Sequence, residues 1–439
     1  MDIGLLELDC WMKGKGMGRI MMVLHKLWGF LVEGRGLRET CKKIWRGFWK
    51  EIDRILGLAA REILKLKTPI VQNKVFFHTQ DNRYTCNPKY ICEELLRRNE
   101  DVDIVWRAPA KNVSIGEFPS GVRTVKAGNF FYYKEIFSAN VIVTNSILFK
   151  DQAIYLKKGQ TLIETWHGSL GIKRFGKKDY KSSWRWVRGA VATGRMTDYC
   201  ITNSTFVSGS LRRTYWEKTP MLEYGHPRND LFFDTNRNKR ELLRKELCEK
   251  WEVKPDCKFV MYGPTFRDSK DFECYDVDFG RLTDALEKRF GGEWVVLLRY
   301  HPSLRSVVKS RGYKPCEDER HRIIDVTGHA DMQELIAVVD VAITDYSSWI
   351  YDFMLLRRPG FIFATDIEKY NNERGFCYPL EETPFPIATN NDELMNNILE
   401  FNIEKYSADL EAFLQNKGCI EDGHASERVV DLIEKIIGR

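Results

Sequence analysis

The chain has 439 residues, 43% apolar and 30% charged, with a formal net charge of +6. That length suggests two or three domains of about 150 residues, and the composition excludes a disordered chain or a polytopic membrane protein. No stretch reaches the roughly 18 uncharged apolar residues of a membrane span. The nearest, from Ile20 to Val32, is short and carries His25 and Lys26.

Asp2, Glu7 and Asp9 lie in the first ten residues, which argues against a secretory signal. Eleven scattered cysteines without a C-x-x-C pair read as reduced thiols, not as a disulfide frame or zinc site. The charge is unevenly placed. From Trp11 to Ile70 there are about 14 Lys/Arg against about 5 Asp/Glu, and everything beyond is close to neutral. Between Glu39 and Leu66, Ile44, Phe48, Ile52, Ile55, Leu56, Ala59 and Ile63 recur at helical spacing, interleaved with Lys and Arg. With Trp11, Trp28, Trp45 and Trp49, this predicts a basic amphipathic helical segment at a membrane surface, its rings at headgroup level. The alternatives are a helix packed on its own domain and a nucleic-acid contact. No nucleic-acid-binding signature accompanies the segment, and no such partner is expected.

After Pro69, short β-rich runs alternate with helical stretches. Strands are predicted over Lys74–His78, Asp103–Trp106, Val141–Thr144, Thr161–Thr165 and Tyr199–Thr202, with a helix over Pro88–Asn99. The charged helical stretch Asn238–Glu252 then joins two units. A second series follows: strands Lys258–Tyr262, Trp294–Arg299, Arg322–Val326, Val339–Thr344 and Gly360–Ala364, and helices Asp278–Phe290, Asp331–Val338 and Ser347–Leu356. Alternation of this kind predicts mainly parallel sheets in an α/β protein. The expected organisation is a segment over 1–70, a first unit over 71–237 and a second over 238–439. There is no G-x-G-x-x-G and no P-loop, so ordinary dinucleotide or ATP cradles are not expected.

Open parallel sheets bind ligands beyond the carboxyl ends of their strands. Three strands of the second unit end in polar groups: Thr265 and Arg267, then Arg299 and His301, then Asp345, Ser347 and Ser348. Ser347 and Ser348 fall where a helix should start, so N–H groups, hydroxyls and the helix dipole suit a phosphate or diphosphate. His301 and Arg267 could add positive charge. The competing reading is an ordinary helix cap. Glu334 is placed to accept hydrogen bonds from ribose hydroxyls, or is simply a solvated helix charge. In the first unit, a strand runs into Trp166, His167 and Gly168, followed by a basic stretch that includes Lys173. An imidazole at a strand end, with an ordinary pKa near about 6.5, suits a general base. The polar turn Tyr224–Asp230, with Arg228 inside it, bridges the units or contacts phosphate. No metal-ligand triad is evident, and no cofactor is expected.

In order, Thr165-Trp166-His167-Gly168, Gly225-His226-Pro227-Arg228-Asn229-Asp230, Leu298-Arg299-Tyr300-His301-Pro302 and Ile343-Thr344-Asp345-Tyr346-Ser347-Ser348 resemble the CDP-glycerol glycerophosphotransferases of bacterial teichoic-acid and capsule synthesis. Asp366–Tyr370, Glu373–Phe376 and Asn87-Pro88-Lys89 also match. The resemblance implies a GT-B architecture, two Rossmann-like domains facing a cleft, with the acceptor on the first and the CDP-activated donor on the second. It implies His167 as catalytic base and His301, Ser347 and Ser348 as donor diphosphate ligands. With the strand-end reading, the donor set is Thr265, Arg267, Arg299, His301, Glu334, Asp345, Ser347 and Ser348. The acceptor side is Gly168, Lys173, Arg228 and Asp230. The implied partners are CDP-glycerol, a lipid-linked polymer acceptor and a membrane surface met through residues 11–67. The implied location is peripheral, on the cytoplasmic face of the bacterial plasma membrane. CDP-ribitol, a nucleotide-sugar donor and a non-catalytic scaffold are the alternatives. The chain departs from the family pattern at Gly263 and Phe266, where Ala and Trp are usual, at His226, where Tyr is usual, and over Gly168–Gly171.

Overall fold

A computed structural model describes residues 57–98, 101–109, 118–148, 155–171, 184–267, 273–300 and 322–438. His301, Lys173 and most of the expected 11–67 segment lie outside the described residues.

Seven strands build the first sheet: β1 (Val71–His78), β2 (Asp103–Ala108), β3 (Val122–Lys126), β4 (Ala139–Thr144), β5 (Thr161–Glu164), β6 (Tyr199–Thr202) and β7 (Met221–Glu223). Their order is β3-β2-β1-β4-β5-β6-β7, every pair parallel. The second sheet holds β8 (Lys258–Tyr262), β9 (Trp294–Leu298), β10 (Arg322–Asp325), β11 (Val341–Thr344), β12 (Gly360–Phe363) and β13 (Ile387–Ala388). Its order is β10-β9-β8-β11-β12-β13, again all parallel. Each repeats the Rossmann order, in which the chain reverses direction across the sheet between the first and fourth strands. Those reversal points, β1/β4 and β8/β11, are where a crevice opens.

Both faces of each sheet are covered, which is why the central strands are apolar throughout rather than alternating. On one face of the first sheet, Val75, Phe77, Trp106, Val141 and Val143 pack with helix α1 (Cys86–Arg98). The same cluster holds Val429, Val430, Ile433 and Ile437 of the last helix, Ala425–Ile437. The stretch expected as one second unit thus returns its end to the first sheet. On the other face, Phe76, Val105, Ile142 and Leu162 meet helix α2 (Phe130–Ser138) and Leu64 of the helical residues 57–67. In that helical stretch Ala60 and Leu64 are buried, whereas Ala59, Ile63 and Leu66 point outward.

Several boundaries move for local reasons. The junction helix α3 (Arg237–Trp251) is stopped by Glu252 in the left-handed region, φ 54°. Strand β11 starts two residues late because Asp340 turns its carboxylate onto the Phe259 N–H, 2.8 Å away. The helix expected over Ser347–Leu356 is shorter. It runs as α4 (Trp349–Phe353) and then tightens into a 3-10 turn, Met354–Leu356.

Candidate active site

The loop after β8 and the loop after β11 are laced together at the second reversal point. The Asp345 carboxylate accepts from the Thr265 N–H at 2.8 Å and from the Tyr346 N–H, and pairs with Arg267 at 2.8 Å. Gly263 O accepts from Thr344 Oγ1 at 2.7 Å and from Trp349 Nε1 at 3.1 Å. The departure at Gly263 has a steric cause: a Cβ there would sit 2.9 Å from Trp349 Nε1. Thr265 Oγ1 is buried without a hydrogen-bond partner. Ser347 and Ser348 are half-buried, and the Ser348 hydroxyl makes no cap bond. Three hydroxyl-bearing residues therefore stand at these strand ends, and the hydroxyl of Thr265 has bonding capacity left over. A five-residue helix carries little macrodipole, so N–H groups and hydroxyls, not the dipole, are what this place can offer an anion.

Arg267 does not offer its charge to that crevice. It is 4% exposed, forked onto Asp366 at 2.7 and 2.9 Å, and packed against the rings of Tyr346 and Tyr370. Such a bidentate buried pair fixes loop geometry. Arg299 likewise braces the next loop, donating to Val326 O at 3.1 Å and His329 O at 3.0 Å, and its burial pulls its pKa to about 10. Glu334 is neither unpaired nor simply solvated. Lys89 of α1 reaches it at 2.6 Å and His329 at 2.7 Å. Although burial opposes it, His329 and Lys89 hold this carboxyl down at about 2. Lys89 also bonds Asp331 at 2.7 Å, so this cluster ties the first unit to the second.

In the first unit, β5 ends at Glu164, and Trp166 takes φ 52°, a left-handed conformation that costs a non-glycine residue of order 1–3 kcal/mol. Three groups hold it there. Asn87 Nδ2 donates to Thr165 O at 3.0 Å and Trp166 O at 3.1 Å, and buried Glu164 accepts the Trp166 N–H at 2.8 Å. Burial pushes the Glu164 carboxyl up to about 8. The strained turn presents His167, whose Nδ1 lies 2.7 Å from Asn145 O. A carbonyl only accepts, so Nδ1 carries the proton and Nε2 becomes the basic atom of the neutral ring. Gly168 follows, where a Cβ would come within 2.9 Å of Trp166 Nε1.

Arg228 joins the two units. It is 3% exposed and donates to His167 O at 3.0 Å, Gly168 O at 3.3 Å and Asp352 Oδ2 at 3.0 Å. Asp352 lies on α4, directly after Ser347 and Ser348. Tyr378 makes a second link, donating to Leu170 O at 2.7 Å and touching Tyr351 Oη, also on α4, at 2.8 Å. Asp230 accepts the Ala425 and Ser426 N–H groups at 3.0 and 2.7 Å and so seats the last helix. Arg228 and Asp230, expected on the acceptor side, are thus engaged inside the junction. Glu164, Asp352 and Glu421, which binds Asn229 at 2.7 Å, carried no sequence signal, being single carboxylates outside any motif. Asn87 did, through Asn87-Pro88-Lys89.

Two Rossmann-like units, with the loops at their strand ends tied to one another, define a two-lobed fold of GT-B type. The model for CDP-Glycerol:Poly(glycerophosphate) glycerophosphotransferase matches residues 61–435, and the chain belongs to this family. A teichoic acid poly(glycerol phosphate) polymerase of Staphylococcus epidermidis is 30% identical over 83% of this chain and 50% of its own length. A teichoic acid poly(ribitol-phosphate) polymerase of Bacillus spizizenii is 28% identical over 88% of this chain and 60% of its own. The chain thus spans 50% and 60% of the length of these two relatives. A structure of the wall teichoic acid polymerase TagF, a variant soaked with CDPG, superposes with a TM-score of 0.72 at 26% identity, covering 90% of this chain and 98% of that one.

Proposed function

We propose that this chain moves glycerol phosphate from CDP-glycerol to a hydroxyl of a lipid-linked teichoic acid or capsule-type acceptor, releasing CMP. The observation that carries the reading is Arg228, which bonds the His167 carbonyl on one side and Asp352, beside Ser347 and Ser348, on the other. A base and an anion site are held in one network.

In this mechanism the acceptor hydroxyl attacks the β-phosphorus of CDP-glycerol while His167 Nε2 takes its proton. The bond from the β-phosphorus to the bridging oxygen breaks, and CMP leaves with the electron pair. The charge developing on CMP is met by Thr265, Ser347 and Ser348, with His301 as a further diphosphate ligand. Such fixed donors are worth roughly 3 kcal/mol each in a water-poor site. Asp345, Arg267 and Arg299 shape the loops that carry them. Arg228 and Asp230 position the His167 turn and the last helix, while the acceptor side is assigned to Gly168 and Lys173. No cofactor enters the scheme.

Attachment to the cytoplasmic face of the plasma membrane through residues 11–67 belongs to the same reading. It is supported by the outward Ala59, Ile63 and Leu66, the last two 47% and 81% exposed, at helical spacing on a basic stretch. Among the described residues no helix is long and apolar enough to cross a membrane. A second reading, with CDP-ribitol as donor, is favoured by the ribitol-phosphate relative.

The test supplies CDP-glycerol, CDP-ribitol and UDP-sugars with a synthetic lipid-linked acceptor and follows CMP release and product mass. His167→Ala is expected to lose at least about tenfold in turnover and still bind CDP-glycerol. Full activity in that variant overturns the base assignment. Absence of CMP release from the unmodified chain overturns the transferase reading in favour of a scaffold.

A further inference from the structure

The first sheet has its own reversal point, between β1 and β4, and its carboxyl edge holds a cation that the mechanism above does not use. Arg107, near the end of β2, donates through Nη1 to His78 Nε2 at the end of β1. A guanidinium only donates, so His78 is neutral there and its Nδ1 proton points to Thr144 Oγ1, 2.9 Å away. The Thr144 hydroxyl in turn donates to Ser146 O at 2.9 Å. Thr144 O accepts from Thr165 N at 2.7 Å, and the next residue, Asn145, accepts from His167. Arg107 is therefore fixed to the same short stretch of backbone that orients the base.

The rest of Arg107 is left over. Its Nε is buried with no hydrogen-bond partner, and no carboxylate is paired with it among the described residues. The Ser146 hydroxyl, in a residue 2% exposed, is also without a partner. The Arg107 guanidinium lies 5.4 Å from the centre of the Tyr132 ring, and that of Arg61 lies 4.5 Å from that of Tyr133, so two cations lie over neighbouring rings of helix α2. A half-buried guanidinium with donors unused is costly unless an anion completes it. Phosphate matches its planar fork.

We propose that Arg107, aimed by His78, binds the phosphate group of the acceptor nearest the attacking hydroxyl. This rests on the reading of the acceptor as a phosphate-linked polyol. It makes Arg107 a specificity residue: a neutral polyol would reach His167 without being held.

The experiment uses two synthetic lipid acceptors, one ending in a glycerol phosphodiester and one carrying the uncharged methyl phosphotriester in its place. Calorimetric binding, without donor, is measured for the unmodified protein, Arg107→Gln and Arg107→Lys. KM for acceptor and for CDP-glycerol follows. The unmodified protein is expected to prefer the diester by about tenfold, a charge-assisted bond's worth. Arg107→Gln should erase that preference with KM for CDP-glycerol within about twofold, and Arg107→Lys should restore part of it. A preference that survives in Arg107→Gln, or an equal loss for both acceptors and the donor, overturns the proposal. If CMP release fails in every protein while Arg107 still sets the binding preference, the transfer reading falls and the phosphate site stands.

Discussion

Glu164 gives a quantitative test of how the His167 turn is built. Its carboxyl is fully buried beneath Trp166 and His167, and burial pushes its pKa up to about 8 from an ordinary value near 4.5. Between these two values the folded protein keeps a proton that the unfolded chain has lost. Stability contributed by this group is therefore whole below about pH 4.5, falls as pH rises, and levels off above about 8. At 1.36 kcal/mol per pKa unit the full loss is about 5 kcal/mol. Glu164→Gln keeps an oxygen to accept the Trp166 N–H, which lies 2.8 Å from the native carboxylate, and removes the titration. Urea unfolding at each pH from 5 to 9 is the assay. Relative to the unmodified protein, the variant should gain about 1.4 kcal/mol per pH unit up to pH 8 and little beyond. A constant offset between the proteins matters only for packing. Parallel stability curves over pH 5 to 8 would refute the claim that Glu164 is held protonated. Glu421, also pushed up to about 8 by burial, should behave in the same sense and independently.

Arg228→Ala leaves Asp352, itself 3% exposed, charged with, among the described residues, Asn229 and Gln333 side chains donating to it, and should cost about 3–5 kcal/mol in urea unfolding. Turnover should fall even where the variant remains folded, because the His167 and Gly168 carbonyls lose their anchor; unchanged turnover would show that the link to Asp352 does not position the base. Lys89→Met removes the cation between Asp331 and Glu334. The depressed Glu334 carboxyl contributes stability that is complete above about pH 4.5 and vanishes as pH falls toward 2, so the acid-unfolding midpoint of the variant should move to higher pH. An unmoved midpoint would mean that this cluster does not couple the two units.

The central strands were legible because burial on both faces writes them as uninterrupted apolar runs, as in Phe259-Val260-Met261-Tyr262 and Val141-Ile142-Val143. The edges were not. β3 reads Val-Arg-Thr-Val-Lys, with three of its five side chains exposed, and β7 has only three residues, so neither produces a pattern long enough to see. For the site, the strand-end rule located Thr265, Ser347, Ser348 and His167 because each hydrophobic run stops abruptly at a polar group. The rule is blind to which way a charge turns once there. Arg267 and Arg299 stand at strand ends, yet their guanidinium groups are drawn inward, by Asp345 and Asp366 in one case and by Val326 and His329 carbonyls in the other. Arg228 reads as a loop cation until its acceptors are seen. They come from residues 61 and 124 positions away, a distance no local pattern spans.

The packing of Val429, Val430, Ile433 and Ile437 against Val75, Phe77 and Ile91 sets an order on events during synthesis. Domains ordinarily mature one after another as they leave the ribosome. Here the first lobe lacks one of its walls until residues 425–437 emerge, so its apolar underside stays open while the second lobe is being translated. A nascent or truncated chain ending before residue 425 would present that underside to chaperones and to aggregation, and the length of that wait is fixed by the stretch of chain that separates β1 from the helix Ala425–Ile437.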